Sequence, residues 1–226
     1  MAQGDLIQRE WEWAEQFSKN AGRPPRVYGV DRSKTAMIAI DMQNAFIAPT
    51  EHYALVEGIE IVDNINRLSR ACREAGIPVI WVVSKARWMA EWGLTNRIQP
   101  ESCFSELDWD SERARIYPGL EVDAEKDHEV VKRRYSAFIS GASNLERLLR
   151  TLGIDTLLVT GIATNVCVSA TAMDAMMLDF KVMVVSDATA AFTNFLHQTA
   201  LMNLRMIYAD VVRTEEIIEE IWKTYL

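Results

Sequence analysis

The sequence is poor in the residues from which disulfide frameworks and metal centres are built. Its 226 residues include only three histidines and three cysteines, Cys72, Cys103 and Cys167. An odd number of cysteines with no C-x-x-C pair suits neither a disulfide framework nor a zinc site. The histidines stand far apart, and isolated histidines rarely make a metal site. We therefore predict no metal and no cofactor, and each cysteine has to be judged by its own surroundings.

Long apolar runs and a basic leader are also missing. No positively charged segment followed by an apolar run begins the chain, and the longest apolar stretches have the length of a strand, so neither a signal peptide nor a membrane span is predicted. The net charge is −8, from 32 acidic and 24 basic residues, and a negative field repels nucleic acid and anionic membranes. We expect a cytoplasmic protein that binds neither.

Length and composition are those of an ordinary globular protein. Hydrophobic residues make up 49% of the chain and charged residues 25%, which excludes a largely disordered or fibrous chain. A chain of 226 residues can bury a sizeable core and is within the size of one large α/β domain. No break in composition divides it, so residues 1–226 are predicted to form a single domain.

Short apolar runs alternate with segments of helical periodicity through most of the chain. Residues 35–41 and 77–84 are typical of buried strands, and apolar residues between them recur at helical spacing as far as Gly76, a glycine typical of a helix end. Further strands are predicted near 129–132, 154–161, 181–186 and 206–211, with helices over 144–152, 164–178, 195–204 and from 214. This alternation predicts an α/β fold in three layers (αβα), with a mostly parallel six-stranded sheet between helices.

Two segments fall outside the alternation. Residues 1–30 place Trp11, Trp13 and Phe17 at helical spacing, which predicts an N-terminal helix followed by an extended arm. Aromatic side chains exposed on that helix would favour a homo-oligomer. Residues 85–127 are rich in aromatics without a clear period, and such a connection is either a lid over a site or a packed irregular insertion.

Three reactive side chains stand at or just beyond predicted strand ends, where open parallel sheets bind ligands. Asp41 ends the first strand, Lys132 ends the third, and Cys167 follows the fourth, in the first turn of a helix if Thr164 is its N-cap. The helix N-terminus and a nearby lysine would stabilise a thiolate, and a carboxylate could move the thiol proton. Taken singly, each residue is better explained by a structural role, as a small buried apolar side chain for Cys167, a cap for Asp41 and a solvated strand-end charge for Lys132.

Three motifs that contain these residues resemble the signatures of a known family. Residues 40–46 (IDMQNAF), 131–138 (VKRRYSAF) and 160–168 (TGIATNVCV) are similar, in this order and spacing, to those of the isochorismatase-like cysteine hydrolases. The resemblance covers about residues 35 to 210. It implies that Asp41 is the general acid and base, that Lys132 steadies negative charge and that Cys167 is the nucleophile. It also implies a cis peptide bond between Ile162 and Ala163, which would bring the amides of Ala163 and Cys167 together as an oxyanion hole.

The type of hydrolase within the family is also suggested by the residues present. Isochorismatase itself lacks the cysteine, so Cys167 favours attack on an amide or ureido carbon. Nicotinamidases add a metal held by an Asp-x-His pair and a further histidine, and none of His52, His128 and His197 lies in such a pair. The resemblance is thus to the metal-independent ureidoacrylate amidohydrolases and N-carbamoylsarcosine amidases, which cleave a C–N bond of a small amide or ureido substrate. A non-catalytic binding or scaffold protein of the same fold and a metal-dependent nicotinamidase are the alternatives.

Candidate substrate-binding residues flank the strand ends or lie in the aromatic insertion. For any one of them a packing role is an equally good interpretation. They are Asn44, Phe46, Trp81, Arg87, Trp88, Tyr135 and Thr164.

Overall fold

Six parallel strands form the centre of the molecule. The computed structural model describes residues 3–51, 54–85 and 111–223. Within them the strands are β1 (Thr35–Ile40), β2 (Val79–Ser84), β3 (His128–Lys132), β4 (Thr156–Ile162), β5 (Lys181–Ala190) and β6 (Asp210–Val212). They lie in the order β3-β2-β1-β4-β5-β6, and each pairing is parallel. The predicted parallel α/β fold is confirmed.

Helices cover both faces of this sheet. They are α1 (Gln3–Asn20), α2 (Asn44–Ile47), α3 (Glu57–Glu60), α4 (Val62–Glu74), α5 (Leu145–Thr151), α6 (Ser169–Met177), α7 (Asn194–Asn203) and α8 (Thr214–Lys223). The core on one face contains residues of α4 and α8, and the core on the other contains residues of α5, α6 and α7. Because alternate residues of β1 belong to different cores, the whole strand is buried, which explains its uninterrupted apolar run. No helix of the described residues is long and apolar enough to cross a membrane.

The strand order reverses between β1 and β4, where Gly161 of β4 pairs with Ile40 of β1. Gly161 has φ +99°, and a Cβ at this position would stand 2.2 Å from the carbonyl oxygen of Ile40. Only glycine has both the conformational freedom and the space that this contact requires. In open parallel sheets, ligands bind outside the carboxyl ends of the strands at such a switch point.

Element boundaries agree with the sequence predictions best in the first half of the chain. Gly76 has φ +75° directly after α4, which confirms it as a helix end. β5 continues to Ala190, beyond the predicted end, and its register with β4 shifts on the way. The strand predicted near 206–211 is wrong at its start, because Leu204–Tyr208 is a π-helical turn and β6 is Asp210–Val212. A short apolar run does not by itself distinguish strand from helix.

The N-terminal helix and arm are present as predicted, and both are anchored to the body. The indole of Trp11 donates a hydrogen bond to Gln198 of α7 at 2.9 Å. The buried carboxylate of Asp210, at the start of β6, accepts hydrogen bonds from Arg23 and from the amides at 27 and 28. Trp13 and Phe17 are exposed and stacked, with 5.5 Å between ring centroids.

The aromatic insertion is described in part. Residues 86–110, which contain the predicted lid aromatics, lie outside the described residues. From Ser111 the chain runs beside the loop after β1, where the amide of Asn44 donates to Arg115 and that of Tyr117 donates to Met42, each at 2.9 Å. This end of the insertion is therefore packed against the strand end that carries Asp41.

Candidate active site

Asp41 follows β1 in a backbone conformation that turns the chain sharply. Its φ is +56°, a left-handed value that is uncommon outside glycine and that aspartate tolerates better than most residues. The Asp41 amide donates to the carbonyl of Val82 in β2, and its carbonyl accepts from Gln43, both at 2.8 Å. These bonds hold the residue at the end of β2, which places its carboxylate beside the ends of β2 and β3.

A cluster of four side chains occupies the carboxyl ends of four adjacent strands. The Lys132 ammonium lies 2.8 Å from Asp41 Oδ2 and 2.9 Å from Ser84 Oγ, and Ser84 donates to Asp41 Oδ1 at 2.8 Å. Lys132 Nζ also lies 3.1 Å from the carbonyl oxygen of Arg134 and 3.5 Å from Cys167 Sγ. The structure thus brings Asp41, Lys132 and Cys167 together, and it adds Ser84 between the first two.

The charged members of this cluster are shielded from water. The exposed fraction is 3% for Asp41 and 1% for Lys132, and charges are tolerated at such depth only when they are paired and hydrogen-bonded. Burial acts to lower the pKa of Lys132, but the adjacent carboxylate of Asp41 and the Cys167 sulfur outweigh it, and the pKa is raised. Lys132 is therefore a fixed positive charge at neutral pH.

The thiol of Cys167 experiences opposing influences. Burial and the carboxylate of Asp41 raise the pKa of Cys167, and Lys132 lowers it, with a net rise. At neutral pH the sulfur accordingly carries its proton, and the same cluster contains a carboxylate, Asp41, that could accept it.

The turn that carries Cys167 differs from the predicted helix start. Thr164–Val168 forms a π-helical turn that leads into α6. The N-cap position belongs to Ala163, which has an extended backbone, so the prediction that Thr164 is the N-cap is wrong because the helical segment begins one residue earlier. Cys167 does lie in the first turn, as predicted.

The backbone before Cys167 has the geometry that the family resemblance implies. The peptide bond between Ile162 and Ala163 is cis. The carbonyl of Ala163 accepts hydrogen bonds from the amides of Val166 at 2.9 Å and Val168 at 3.2 Å. These two donors flank Cys167 in the chain.

Two residues of this site had no predicted role. Ser84 bridges Asp41 and Lys132, as described above. The fully buried side chain of Gln43 accepts a hydrogen bond from the amide of Ser84 at 2.7 Å and donates to the carbonyls of Ser84 and Ala114 at 2.9 and 2.7 Å. Gln43 thus fixes the end of β2 and attaches the returning insertion to it. Ser84 could have been found with the rule that found Asp41 and Lys132, because it is the last residue of its strand.

The predicted substrate-binding residues occupy varied positions. Thr164 is fully buried, Tyr135 is 36% exposed, and Phe46 is half-buried against the core. Asn44 donates to the carbonyl of Glu112 at 2.8 Å, so it holds the returning insertion in place. Arg87 and Trp88 lie outside the described residues.

Trp81 requires a correction. It is 1% exposed, it belongs to the core on the opposite face of the sheet from the core that Cys167 packs against, and its indole donates to Asp127 at 2.8 Å. The alternation of side chains along β2 places Trp81 and Ser84 on different faces. Trp81 is a core residue.

Cys72 does not belong to this cluster, and His52 lies outside the described residues. Cys72 is a buried core residue of α4, and burial raises the pKa of its thiol to about 12. Cys103 lies outside the described residues. Within residues 3–51, 54–85 and 111–223 no three histidine, cysteine, aspartate or glutamate side chains are grouped as metal ligands.

A doubly wound parallel sheet with a thiol, a carboxylate and a lysine at its switch point has the architecture of the isochorismatase-like hydrolases. Two solved structures are similar to this chain in fold. A cysteine hydrolase from Pseudomonas syringae pv. phaseolicola is 27% identical, with a TM-score of 0.82 over 90% of this chain and 99% of that one. N-carbamoylsarcosine amidase from Thermoplasma acidophilum is 26% identical, with a TM-score of 0.65 over 81% of this chain and 98% of that one.

The chain belongs to the isochorismatase family, because the model of the isochorismatase domain matches residues 35–216. A probable inactive nicotinamidase from Arabidopsis thaliana is 32% identical over 83% of this chain and 96% of its own length. The ureidoacrylate amidohydrolase RutB of Serratia proteamaculans is 33% identical over 90% of this chain and 88% of its own length. The predicted family is confirmed, and the protein is a hydrolase of that family.

Proposed function

We propose that the protein is a metal-independent cysteine amidohydrolase that cleaves a C–N bond of a small amide or carbamoyl (ureido) substrate through a thioester. The observation that carries the proposal is the cluster of the buried Asp41 and Lys132 with the half-buried Cys167 at the switch point. It unites a nucleophile, a base and a fixed positive charge, which are the parts that acyl transfer requires.

In the first step, the sulfur of Cys167 attacks the substrate carbonyl carbon while Asp41 takes the thiol proton. The net upward shift of the Cys167 pKa is the reason that proton removal accompanies attack. Lys132 lies 2.8 Å from the carboxylate and 3.5 Å from the sulfur. It stabilises the negative charge on the carboxylate before the proton moves and the charge that develops on the sulfur as the proton leaves. General base catalysis of this type is worth about 10²- to 10⁴-fold in rate.

The carbonyl oxygen gains negative charge during attack, and the amides of Ala163 and Cys167 are proposed to bind it. The position of Ala163 and Cys167 at the start of a helical segment supports this assignment, because amides at such a start point toward an approaching anion. Collapse of the intermediate breaks the C–N bond. Asp41 returns its proton to the departing nitrogen, and the acyl group stays on Cys167.

Water completes the reaction. Asp41, again ionised, accepts a proton from a water molecule that attacks the thioester carbon, and the thiol leaves with that proton. With an ordinary amide the second product is a carboxylic acid. With a ureido substrate it is carbamate, which decomposes to ammonia and carbon dioxide. The similarity to a ureidoacrylate amidohydrolase supports the second case. A free nucleophilic thiol is best preserved in a reducing compartment, so the cytoplasmic location remains part of the proposal.

Ammonia release from a panel of ureidoacrylate, N-carbamoyl amino acids, biuret, maleamate and nicotinamide tests this function. Cys167→Ala and Asp41→Asn should each lower turnover by at least about 10³-fold, because removal of a nucleophile or its base disables the whole chain of steps. Cys72→Ala is the matched control, since it removes a buried thiol distant from the site, and it should retain turnover. Full hydrolysis by Cys167→Ala would exclude the mechanism.

The same assay distinguishes the proposed function from two alternatives. A relative whose name describes it as a probable inactive nicotinamidase favours, as second candidate, a non-catalytic binding or scaffold protein. That candidate predicts no turnover of any amide and alkylation of Cys167 no faster than that of a free thiol. A metal-dependent nicotinamidase would lose nicotinamide hydrolysis on treatment with a chelator, whereas the proposed enzyme would not.

We further propose that the protein is a homo-oligomer in which a second copy covers the exposed, stacked pair Trp13 and Phe17 on α1. Exposed aromatic pairs are costly in water, and symmetric self-association is the commonest way to bury them. Light scattering should report a multiple of the 25.7 kDa chain mass for the wild type and a smaller species for Trp13→Glu/Phe17→Glu. A monomeric wild type would refute this.

A further inference from the structure

His197, on α7, makes a contact that the mechanism above does not use. Its Nδ1 lies 2.8 Å from the hydroxyl of Thr164, the first residue of the turn that carries Cys167. The imidazole is half-buried, and burial lowers its pKa while a backbone hydrogen bond with Ser186 of β5 acts to raise it. At neutral pH the ring is therefore neutral, with one N–H and one unprotonated nitrogen.

The partners of the ring determine its tautomer. A backbone group that raises the pKa of a histidine acts as a carbonyl acceptor, so we assign the ring proton to the nitrogen that faces Ser186. Nδ1 is then the acceptor, and the hydroxyl of Thr164 donates to it. The histidine thus connects β5, where its register with β4 shifts, to the start of the nucleophile turn.

Thr164 connects His197 to the turn that carries Cys167. Its side chain is fully buried, and its carbonyl accepts a hydrogen bond from Ser169, the first residue of α6. Thr164 is therefore held from its side chain by His197 and from its backbone by α6. It stands between Ala163 and Cys167, whose amides form the proposed oxyanion hole.

We propose that His197 is a positioning residue that, through the hydroxyl of Thr164, fixes the nucleophile turn relative to the Asp41–Lys132 pair. This inference rests on the proposed function for its catalytic consequence, but the placement of the turn can be measured without any substrate. Misplacement of a reacting group by about 1 Å can cost about 10²-fold in rate. Loss of the bond should therefore reduce reaction at Cys167 more than it reduces substrate binding.

Three variants separate the two hydrogen bonds of the ring. Thr164→Val removes the hydroxyl at nearly constant volume. His197→Gln retains an amide that reaches toward Ser186 but has no acceptor at the Nδ1 position, whereas His197→Asn places a carbonyl oxygen near that position. Thr164→Ser is the conservative rescue, and Thr199→Val, whose hydroxyl donates to Phe195 within the same helix, is the matched control.

The readouts are the rate of iodoacetamide alkylation at Cys167, located by peptide mass mapping, and kcat and KM on any substrate found. Thr164→Val and His197→Gln should lower the alkylation rate and kcat by roughly 10- to 100-fold with KM changed by less than about twofold, and the double variant should fall no further than either single one. His197→Asn, Thr164→Ser and Thr199→Val should remain within about threefold of wild type.

Contrary results are equally distinct. Alkylation and kcat within about twofold of wild type in both Thr164→Val and His197→Gln, or losses that multiply in the double variant, would overturn the proposal. If the His197 variants fail to fold, the Thr164→Val and Thr164→Ser pair decides alone. If Cys167→Ala leaves hydrolysis intact, the proposed function fails, whereas altered alkylation in Thr164→Val would still establish the positioning role.

Discussion

Lys132 holds a positive charge in a place that water hardly reaches. Its ammonium has four acceptors around it, on Asp41, Ser84, Arg134 and Cys167, and the first of these is a carboxylate as deeply buried as itself. A buried ion pair contributes little net stability, because desolvation offsets the attraction, but the loss of either partner leaves the other charge unpaired. The pair is thus better explained by chemistry than by stability.

Single and paired substitutions test this balance. Lys132→Met should lower the free energy of unfolding by about 3–5 kcal/mol, because Asp41 is left buried without its partner. Asp41→Asn/Lys132→Met should recover most of that loss and remain inactive. Urea denaturation and the ammonia assay measure the two effects. A double variant no more stable than Lys132→Met would contradict the argument.

The residues of the site differ in how far the sequence reveals them. Asp41 and Lys132 end apolar runs, so periodicity and the strand-end rule locate them, and Cys167 needed its motif as well. His197 has no such signal, because it lies on a helix and reaches Thr164 only through the packing of α7 against the nucleophile turn. Contacts of this type depend on tertiary geometry, which a local pattern does not contain.

At the scale of elements, the buried strands were predictable because both faces of the sheet are covered and their apolar runs are continuous. The two π-helical turns, at 164–168 and 204–208, were not. A π-helical turn inserts one residue into a helical register without changing composition, so nothing in the sequence marks it. π-helical turns occur often at functional sites, and one of these two turns carries Cys167.

The contact between β1 and β4 should depend on Gly161. Gly161→Ala would place a Cβ at 2.2 Å from the carbonyl oxygen of Ile40 and 2.5 Å from its nitrogen, and the strands at the switch point would have to separate. Gly76 also has a positive φ, and a Cβ added there would have no atom within 4 Å. The variant Gly76→Ala therefore measures the cost of a side chain at positive φ alone, about 1 kcal/mol. We expect Gly161→Ala to cost at least about 3 kcal/mol more. Equal losses of unfolding free energy in Gly161→Ala and Gly76→Ala, measured in denaturant, would show that the contact between Gly161 and Ile40 relaxes without cost.

At the scale of the molecule, distant parts of the chain are joined through buried polar residues. The arm after α1 is held by Asp210, 182 to 187 residues later in sequence, and the insertion is held by Gln43. The alternation of apolar runs with helical segments correctly predicted the α/β fold, but it does not specify which polar side chain serves as an anchor. We expect residues 1–226 to unfold as one cooperative unit, as the single-domain prediction requires.

The free energy of unfolding should fall at alkaline pH because the pKa values of two thiols are raised in the folded protein. The pKa of Cys72 is raised from 9.0 to about 12 and that of Cys167 is also raised. A group with a raised pKa in the folded state contributes stability below its ordinary pKa, and this contribution is lost as the pH rises through the interval between the two values. At about pH 10 the loss from Cys72 is about 1.4 kcal/mol.

The free energy of unfolding, measured in urea from about pH 8 to 10.5, should therefore fall more steeply for the wild type than for Cys72→Ala. The comparison of slopes removes the cost of the cavity that the substitution creates, because that cost is the same at each pH. Parallel curves for the two proteins would show that Cys72 does not contribute.

The side chain of Gln43 joins the two ends of the insertion, since its amide nitrogen bonds the carbonyls of both Ser84 and Ala114. Residues 85–113 therefore leave and rejoin the scaffold at one clamp, and the cluster of Asp41, Lys132 and Cys167 is built entirely from residues outside that segment. We expect changes within the segment to leave the positions of these three side chains unaltered. In evolutionary terms, a segment attached at one clamp can diverge while the cluster beside it is inherited unchanged.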